Sequence, residues 1–445
     1  MKKKMRLIIA GLLMVSLLLA ACGGGTEPPA PTAAEEATDA TQPVDEEPAA
    51  EIPEPVNLVI GYTASLTGTY ETPSGRQFRG FDLWMEELNN AGGITLSDGT
   101  VVTFTSVSYD DESNTDRVQE LYTRLATEDN ADFLISPYSS GLTSASSVIA
   151  EQYGKVMITT GAASDGNYKQ GFTQVYQIYT PASRYLTGAV DLLQNIDPSL
   201  TKVAFVYEND KFSTDVVTAA QVYAESLGYE IVLFEGYDSG TADFGPFINK
   251  IVDTGAEAIL GGGHFEDGTT FARQLFEKNT DVKFITLLVA PPEPDFASLG
   301  DAALGVVGPS QWEPQVTFSE ESAAAAGLTW YGPSSEEFVQ SYEAAFDEEP
   351  SYHSAGGFAA GLVLEYAIVT ADSTDPAAID AVLDEMNVLT FYGSIDFDNT
   401  PEAHGLQIGH SMVYIQWQLD EGGELLKQVI WPLEGATADP LYPLD

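Results

Sequence analysis

From residue 57 onward, short apolar runs alternate with segments whose apolar residues recur every three or four positions. NLVIGYT (57–63) is apolar and too short for a helix, which predicts a buried strand. A Ser/Thr/Gly loop at 64–69 leads into a segment where Phe78, Phe81, Met85 and Leu88 share one helical face. That helix, 73–90, stops at Ala91-Gly92-Gly93. Strands are then predicted at 101–109, 131–136 and 155–160, with helices at 114–128 and 143–152 between them. A second series follows, with strands at 202–207, 230–235, 256–261 and 282–287 and helices at 184–194, 214–227, 244–253 and 268–278. Further helices are expected at 335–347, 355–371 and 376–386. Residues 391–431 read as strands with turns such as Asp398-Asn399. Repeated β-α-β order is the mark of parallel sheets wrapped by helices. Two such series predict an α/β protein with two Rossmann-like, doubly wound lobes.

The first 56 residues follow a different rule. Lys2, Lys3, Lys4 and Arg6 precede an apolar run, 7–19, and then Ala20, Ala21 and Cys22. This is the anatomy of a secretory signal, too short and too one-sided for a spanning helix. Leu19-Ala20-Ala21-Cys22 resembles the bacterial lipobox, and the chain's single cysteine sits where that box requires it. The resemblance implies cleavage before Cys22 and a diacylglycerol on its sulfur. Two acyl chains anchor stably where one is marginal. Residues 23–56 are rich in Pro, Ala, Thr and acidic groups, with no aromatic or basic residue. Such a composition cannot bury a core and reads as an extended, disordered tether. No later stretch approaches 18 consecutive apolar residues.

Charge narrows the partners. The 445 residues carry 67 acidic and 18 basic side chains, a net charge of −49 at neutral pH. Phosphate binding needs clustered Lys and Arg, so nucleic acid is excluded as a partner. Docking on anionic lipid by charge is excluded for the same reason. One cysteine allows no internal disulfide, and the four histidines show no metal-binding spacing, so neither metal nor other cofactor is expected. The length allows two to three domains.

In open α/β sheets, ligands lie beyond the carboxyl ends of the strands. Those ends fall at 65–70, 137–141, 159–164, 207–213 and 261–266. They are rich in Ser, Thr, Gly and aromatic residues, and several run directly into helix N-termini, whose free N–H groups suit a carboxylate. Ser65 and Tyr70 belong to the first of these loops. The pattern points to a small polar or zwitterionic ligand. Arg76, Arg79 and Lys211, near loop ends, also leave an anionic solute open.

The stretch IGYTASLTGTYETPSGRQFRGFDLWMEELNNAGGI resembles the opening of solute-binding proteins of branched-chain amino acid ABC importers. YDDESNTDRV, KVAFVYENDKFSTD and DFGPFINKIVDTGAEAIL continue the likeness, which is good over 57–290 and loose beyond. It implies the type I periplasmic binding protein fold, two lobes joined by three crossovers that close over the ligand. The crossovers are expected near 181, near 305 and at 392–408. That gives lobe 1 as 57–181 plus 306–392, and lobe 2 as 182–305 plus 393–445. By position, the ligand carboxylate would meet Ser139, Ser140, Ala162, Ala163 and Ser164, and its ammonium would meet Glu266. Tyr70, Tyr138, Phe212 and Phe265 would line the side-chain pocket. Glu266→Gln is then expected to weaken amino-acid binding about tenfold or more, a charged hydrogen bond being worth roughly 1.5–3 kcal/mol. Ala163 stands where the family has a hydroxyl, Phe212 replaces the usual Tyr, and 312–334 diverges. The implied partners are an amino acid or amide, ABC permease subunits and, through Cys22, the membrane; the chain is expected to be monomeric.

Two other classes compete. An enzyme would need a site motif, and the chain has no G-x-S-x-G, P-loop, H-E-x-x-H or G-x-G-x-x-G. Asp110-Asp111 and Asp396/Asp398 suit turns and caps. A ligand-binding sensor subunit uses the same fold without transport, and genomic neighbours coding a permease would separate the two.

Overall fold

The computed structural model describes residues 53–444. The signal segment, Cys22 and nearly all of the tether lie outside the described residues.

The first sheet collects β1 (Val56–Ala64), β2 (Ile94–Thr95), β3 (Val101–Asp110), β4 (Phe133–Ile135), β5 (Met157–Thr159) and β6 (Val175–Gln177), in the order β2-β3-β1-β4-β5-β6. Its connections are α1 (Glu71–Asn90), α2 (Thr115–Thr127) and α3 (Ser140–Tyr153). The chain then passes through Thr180 and Pro181 into α4 (Thr187–Ile196), β7 (Lys202–Glu208), α5 (Lys211–Ser226), β8 (Glu230–Tyr237), α6 (Gly245–Thr254), β9 (Ala258–Gly262), α7 (Phe265–Glu277), β10 (Phe284–Leu287) and β11 (Val307–Ser310). A return passage holds α8 (Glu320–Ala326), β12 (Thr329–Trp330), α9 (Ser335–Phe346), α10 (Tyr352–Ala371), α11 (Pro376–Asp384), β13 (Asn387–Thr390) and β14 (Gly393–Asp396). Strands β12, β13 and β14 form a small sheet whose core is continuous with the first lobe. The last strands, β15 (Val413–Leu419) and β16 (Leu425–Trp431), complete a second sheet, β16-β15-β11-β10-β9-β7-β8.

Two lobes of mixed α/β structure result, and the two faces of each sheet are visible in the sequence. Along β7, Val203, Phe205 and Tyr207 join one core while Ala204 and Val206 join the other. Along β1, Leu58, Ile60, Tyr62 and Ala64 all join the core under α1 and α10. Period-two alternation with both faces apolar is what a strand buried on both sides requires. The central strands pair in parallel, and antiparallel strands are added at β2, β15 and β16.

The sheets divide slightly differently from the sequence-based boundaries. β11 pairs with β10 and β15, so the second passage follows Ser310 rather than residue 305. β14 stays with the first lobe's small sheet, so the third passage begins after Asp396. β11 gains its place partly from β15, a hundred residues on, and β14 from a hairpin with β13, whose small sheet packs on the first lobe; no local pattern encodes either. The divergent 312–334 segment supplies α8 and β12.

Among the described residues only α10 is long and apolar enough to cross a membrane, and 72% of its apolar 18-residue stretch is buried. It is a core helix. Cβ atoms added at Gly357 or Gly361 would strike the Gln77 backbone or the Trp84 ring of α1, so glycine lets the two helices touch.

Candidate functional site

The carboxyl ends of both sheets face one cleft. From the first lobe come Tyr70 before α1, Tyr138 to Ser140 after β4, Gly161 to Ser164 after β5, Tyr179, and Tyr352-His353 opening α10. From the second come Tyr185, Glu208 at the end of β7 and Asp210 after it, Phe212 on α5, His264 after β9, and Val289 and Glu293 after β10. Ser139 holds φ +83° at the N-cap of α3, a left-handed conformation rare for a non-glycine and often found at ligand loops.

Side chains from the two lobes meet across this cleft. Tyr138 Oη lies 3.0 Å from His264 Nδ1, and His264 Nε2 lies 3.1 Å from Asp210 Oδ2. Asp210 also caps α5 by accepting from Phe212 and Ser213 N–H, so the same carboxylate fixes helix and imidazole. At the other end, Arg76 of α1 reaches Glu293 at 3.2 Å and Asp295 at 2.9 Å, and His353 Nδ1 lies 2.5 Å from Glu293 Oε1. Tyr185 Oη donates to Tyr352 Oη at 3.3 Å. Between these bridges the aromatic side chains of Tyr138, Tyr179, Tyr185, Phe212 and Tyr352 enclose about 10 Å³, room for one water. A larger cavity of about 210 Å³ adjoins it beyond His264, lined by Tyr70, Glu208, Glu266 and Asp267 among others.

The electrostatics follow from burial. For His264 burial disfavours the cation, but the Asp210 hydrogen bond and the charges of Asp210, Glu208 and Asp267 outweigh it and raise the imidazole to about 9. Asp267 is pushed up to about 7 by burial and by Glu208. Burial works against ionised Glu293, yet His353 and Arg76 hold its carboxyl below the ordinary range, while burial pushes the His353 imidazole down. Ligand atoms of Glu208, Asp210 and His264 lie within 4.8 Å of one another, a spacing a metal ion could use. With its imidazole raised to about 9, His264 is protonated at neutral pH and donates from both ring nitrogens, to Tyr138 and Asp210, so neither offers a lone pair to a metal.

A sequence profile of the periplasmic binding protein family matches residues 57–424. The chain belongs to this family. Among its relatives, Leu/Ile/Val-binding protein homolog 7 of Brucella melitensis is 24% identical over 374 residues, covering 82% of this chain and 90% of the relative. An amino acid binding protein of Pseudomonas aeruginosa is 24% identical over 368 residues, 82% and 91% of the two chains. Among solved structures, the branched-chain amino acid transporter substrate-binding protein LivJ of Streptococcus pneumoniae, in complex with isoleucine, gives a TM-score of 0.69 at 20% identity, covering 84% of this chain and 100% of the other. A solute-binding protein of an R. palustris ABC transporter, in complex with benzoate, gives 0.67 at 19% identity, covering 86% and 98%.

Within this periplasmic binding protein the residues expected from sequence take different places. Tyr138, Ala163 and Phe212 line the enclosed cavity. Tyr70 packs edge-on to His264, ring centroids 4.7 Å apart, and borders the larger cavity. Ser139 is spent on capping α3. Ser140 Oγ accepts from the N–H groups of Ala163 and Ser164 at 3.1 and 3.0 Å, so donors assigned to a ligand carboxylate are already paired. Ser164 Oγ donates to Asp215 on the second lobe. The Ala162 carbonyl accepts from the Gln177 side chain. Ser65 is buried, donates to Asp111 at 2.6 Å, and borders a separate cavity with Arg76 and Asp295. Phe265 packs into the second lobe's core. Glu266 is exposed in the first turn of α7, while its neighbour Asp267 is buried. On a helix, adjacent residues face different ways, and position within a motif does not settle which one turns inward. Arg76, Arg79 and Lys211 are all ion-paired, with Glu293, Glu348 and Asp215.

Sequence reasoning missed His264, Asp210, Glu208, Asp267, Glu293 and the Tyr179–Tyr185–Tyr352–His353 wall. The first three lie in strand-end loops and carried a usable signal. Glu293 and Tyr352-His353 lie in irregular or helical segments far from any strand-end motif, and only the fold brings them to the cleft.

Proposed function

We propose that this chain is the extracytoplasmic solute-binding component of an ABC importer, anchored by lipid on Cys22, and that it binds an amino acid or similar small amine-bearing solute without chemical change. The observation that carries the reading is the cleft at the carboxyl ends of both sheets, bridged by polar side chains from both lobes. Two lobes that meet through side chains can part and close about their three connections, a hinge motion that captures a solute. The relatives' names and neighbours' ligands support an organic solute, amino acids in some and an aromatic acid in another. The lipobox and the tether support display outside the cell membrane, tethered to it.

The test has two parts. The chain from residue 23 is screened by thermal shift against amino acids, amides, urea, nucleosides, amines and small carboxylates. A ligand that binds only the folded state raises the melting temperature, and the bound solute should be recovered unchanged. In cells, Cys22→Ala should release the protein from the membrane fraction. Turnover of a solute would overturn the binding role, and unchanged membrane association would overturn the lipid anchor.

A further inference from the structure

The second-lobe wall of the cleft carries more negative charge than the protein neutralises. Glu208 is 5% exposed, and its Oε2 has no hydrogen-bond partner among the described residues. It lines the 210 Å³ cavity with Asp267, which is 8% exposed and accepts a hydrogen bond from Tyr237. A Cβ added at Gly263 would collide with oxygens of both carboxylates, so Glu208 and Asp267 converge on one point that only glycine leaves open. Asp210 stands beside them, bonded to His264; among the described residues lining the cavity His264 is the one cationic group, with no lysine or arginine. A buried carboxylate oxygen without a donor is costly, and a bound cation supplies the missing donors.

The rest of the cleft agrees. Tyr70, Tyr138 and Phe212 surround the His264 ring at centroid distances of 4.7, 5.6 and 5.7 Å, and aromatic faces attract cations. The first-lobe groups suited to an anion are consumed by one another through Ser140, and Arg76 is held by Glu293 and Asp295. We infer that the cleft selects an organic cation whose charged head is held between Glu208 and Asp267 beside the Tyr70 ring. This inference rests on the solute-binding reading and names the class of solute.

The experiment measures binding of putrescine, agmatine and choline by calorimetry and thermal shift, alongside leucine, 4-hydroxybenzoate, and the chlorides of magnesium, calcium and zinc. At least one organic cation is expected to bind, more weakly as salt rises because the attraction is ionic. Glu208→Gln should weaken it about tenfold or more, the effect of losing one charged hydrogen bond, and Glu208→Asp should restore part of the loss. If Glu208→Gln does not fold, Asp267→Asn carries the same expectation. Failure of all three cations, unchanged cation affinity in these variants, or binding of a divalent metal alone overturns the inference. If leucine or 4-hydroxybenzoate binds while the cations fail, the solute-binding reading survives without it. If no organic solute binds at all, both fall.

Discussion

The two walls of the cleft come from lobes of the same architecture, yet they treat polar groups in opposite ways. On the first-lobe wall Ser139, Ser140 and the N–H groups of residues 163 and 164 satisfy one another. What remains toward the cleft is aromatic: Tyr70, Tyr138, Tyr179 and Tyr352. On the second-lobe wall Glu208, Asp210 and Asp267 crowd around one imidazole, and one carboxylate oxygen has no donor. The first wall supplies shape and π-faces at little electrostatic cost. The second stores an imbalance that a partner of opposite charge relieves. Charge recognition in this cleft therefore belongs to the second lobe. The ion pairs of Arg76 and His353 with Glu293 hold the two walls together at the opposite end.

The sharpest way to break the comparison is at that opposite end. Arg76→Ala leaves Glu293 buried without its guanidinium partner, which costs on the order of 3–5 kcal/mol. A lower melting temperature and a larger radius of gyration in solution scattering are expected. Arg76→Ala with Glu293→Ala should recover part of the loss, which separates a lost bridge from a lost side chain. Next comes the self-satisfied wall. Ser140→Ala strips the acceptor from two buried N–H groups, worth about 1–3 kcal/mol in chemical denaturation. A change below about 0.5 kcal/mol would mean that those donors are free for a ligand after all.

The pH dependence tests the charged wall. Asp267 titrates at about 7 in the fold, above its ordinary 3.8, so the native state holds the extra proton. Stability from this group is lost as pH rises through that interval. His264, raised from 6.5 to about 9, contributes fully below 6.5, and its contribution is lost as pH rises through 9. Both act in the same direction, so the cluster makes the protein more stable at pH 5 than at pH 9.5. Asp267→Asn should raise stability at pH 9 by about 1–2 kcal/mol, since one pKa unit corresponds to roughly 1.4 kcal/mol and coupling to neighbours discounts the full shift. Its effect at pH 5 should be smaller. The smallest effect is expected at Glu266. Exposed on α7, it should change solute affinity by less than about threefold as Gln, an exposed charge being worth under about 1 kcal/mol. A tenfold loss there would return the ammonium role to Glu266 as the family likeness has it.

Much of the fold was legible along the chain because its signals are local. The short apolar runs of β1 and β7, the 3.6-residue period in α1, and the Gly stop after it depend on neighbours within one element. The strand-end loops were legible too, since strand direction alone says which end faces a ligand, and those loops hold Tyr138, Ala163 and Phe212, whose individual roles the family likeness supplied. The sheet membership of β11 and β14 was not legible, because β11 is fixed partly by β15 a hundred residues on, and β14 follows its hairpin partner β13 into a small sheet that packs on the first lobe. Nor was the difference between Glu266 and Asp267, which one helical step of rotation decides.

The sequence by itself determined two α/β lobes, an acidic body, a signal-like segment ending at Cys22, and a ligand region rich in Ser, Thr and aromatic residues. Tertiary structure decided which of those polar groups are spent on each other and which are left over. Hydroxyls and N–H groups find partners a few loops away, as Ser140 does with residues 163 and 164. Glu208 ends β7, Asp210 follows it, and Asp267 lies in the first turn of α7 after the adjacent strand β9, so sheet packing brings like charges together. Glu293, His353 and Arg76 meet only when the lobes do. A residue's chemical type is written in the chain, but whether its hydrogen bonds are already satisfied is a property of the folded neighbourhood, and that decides what the cleft can bind.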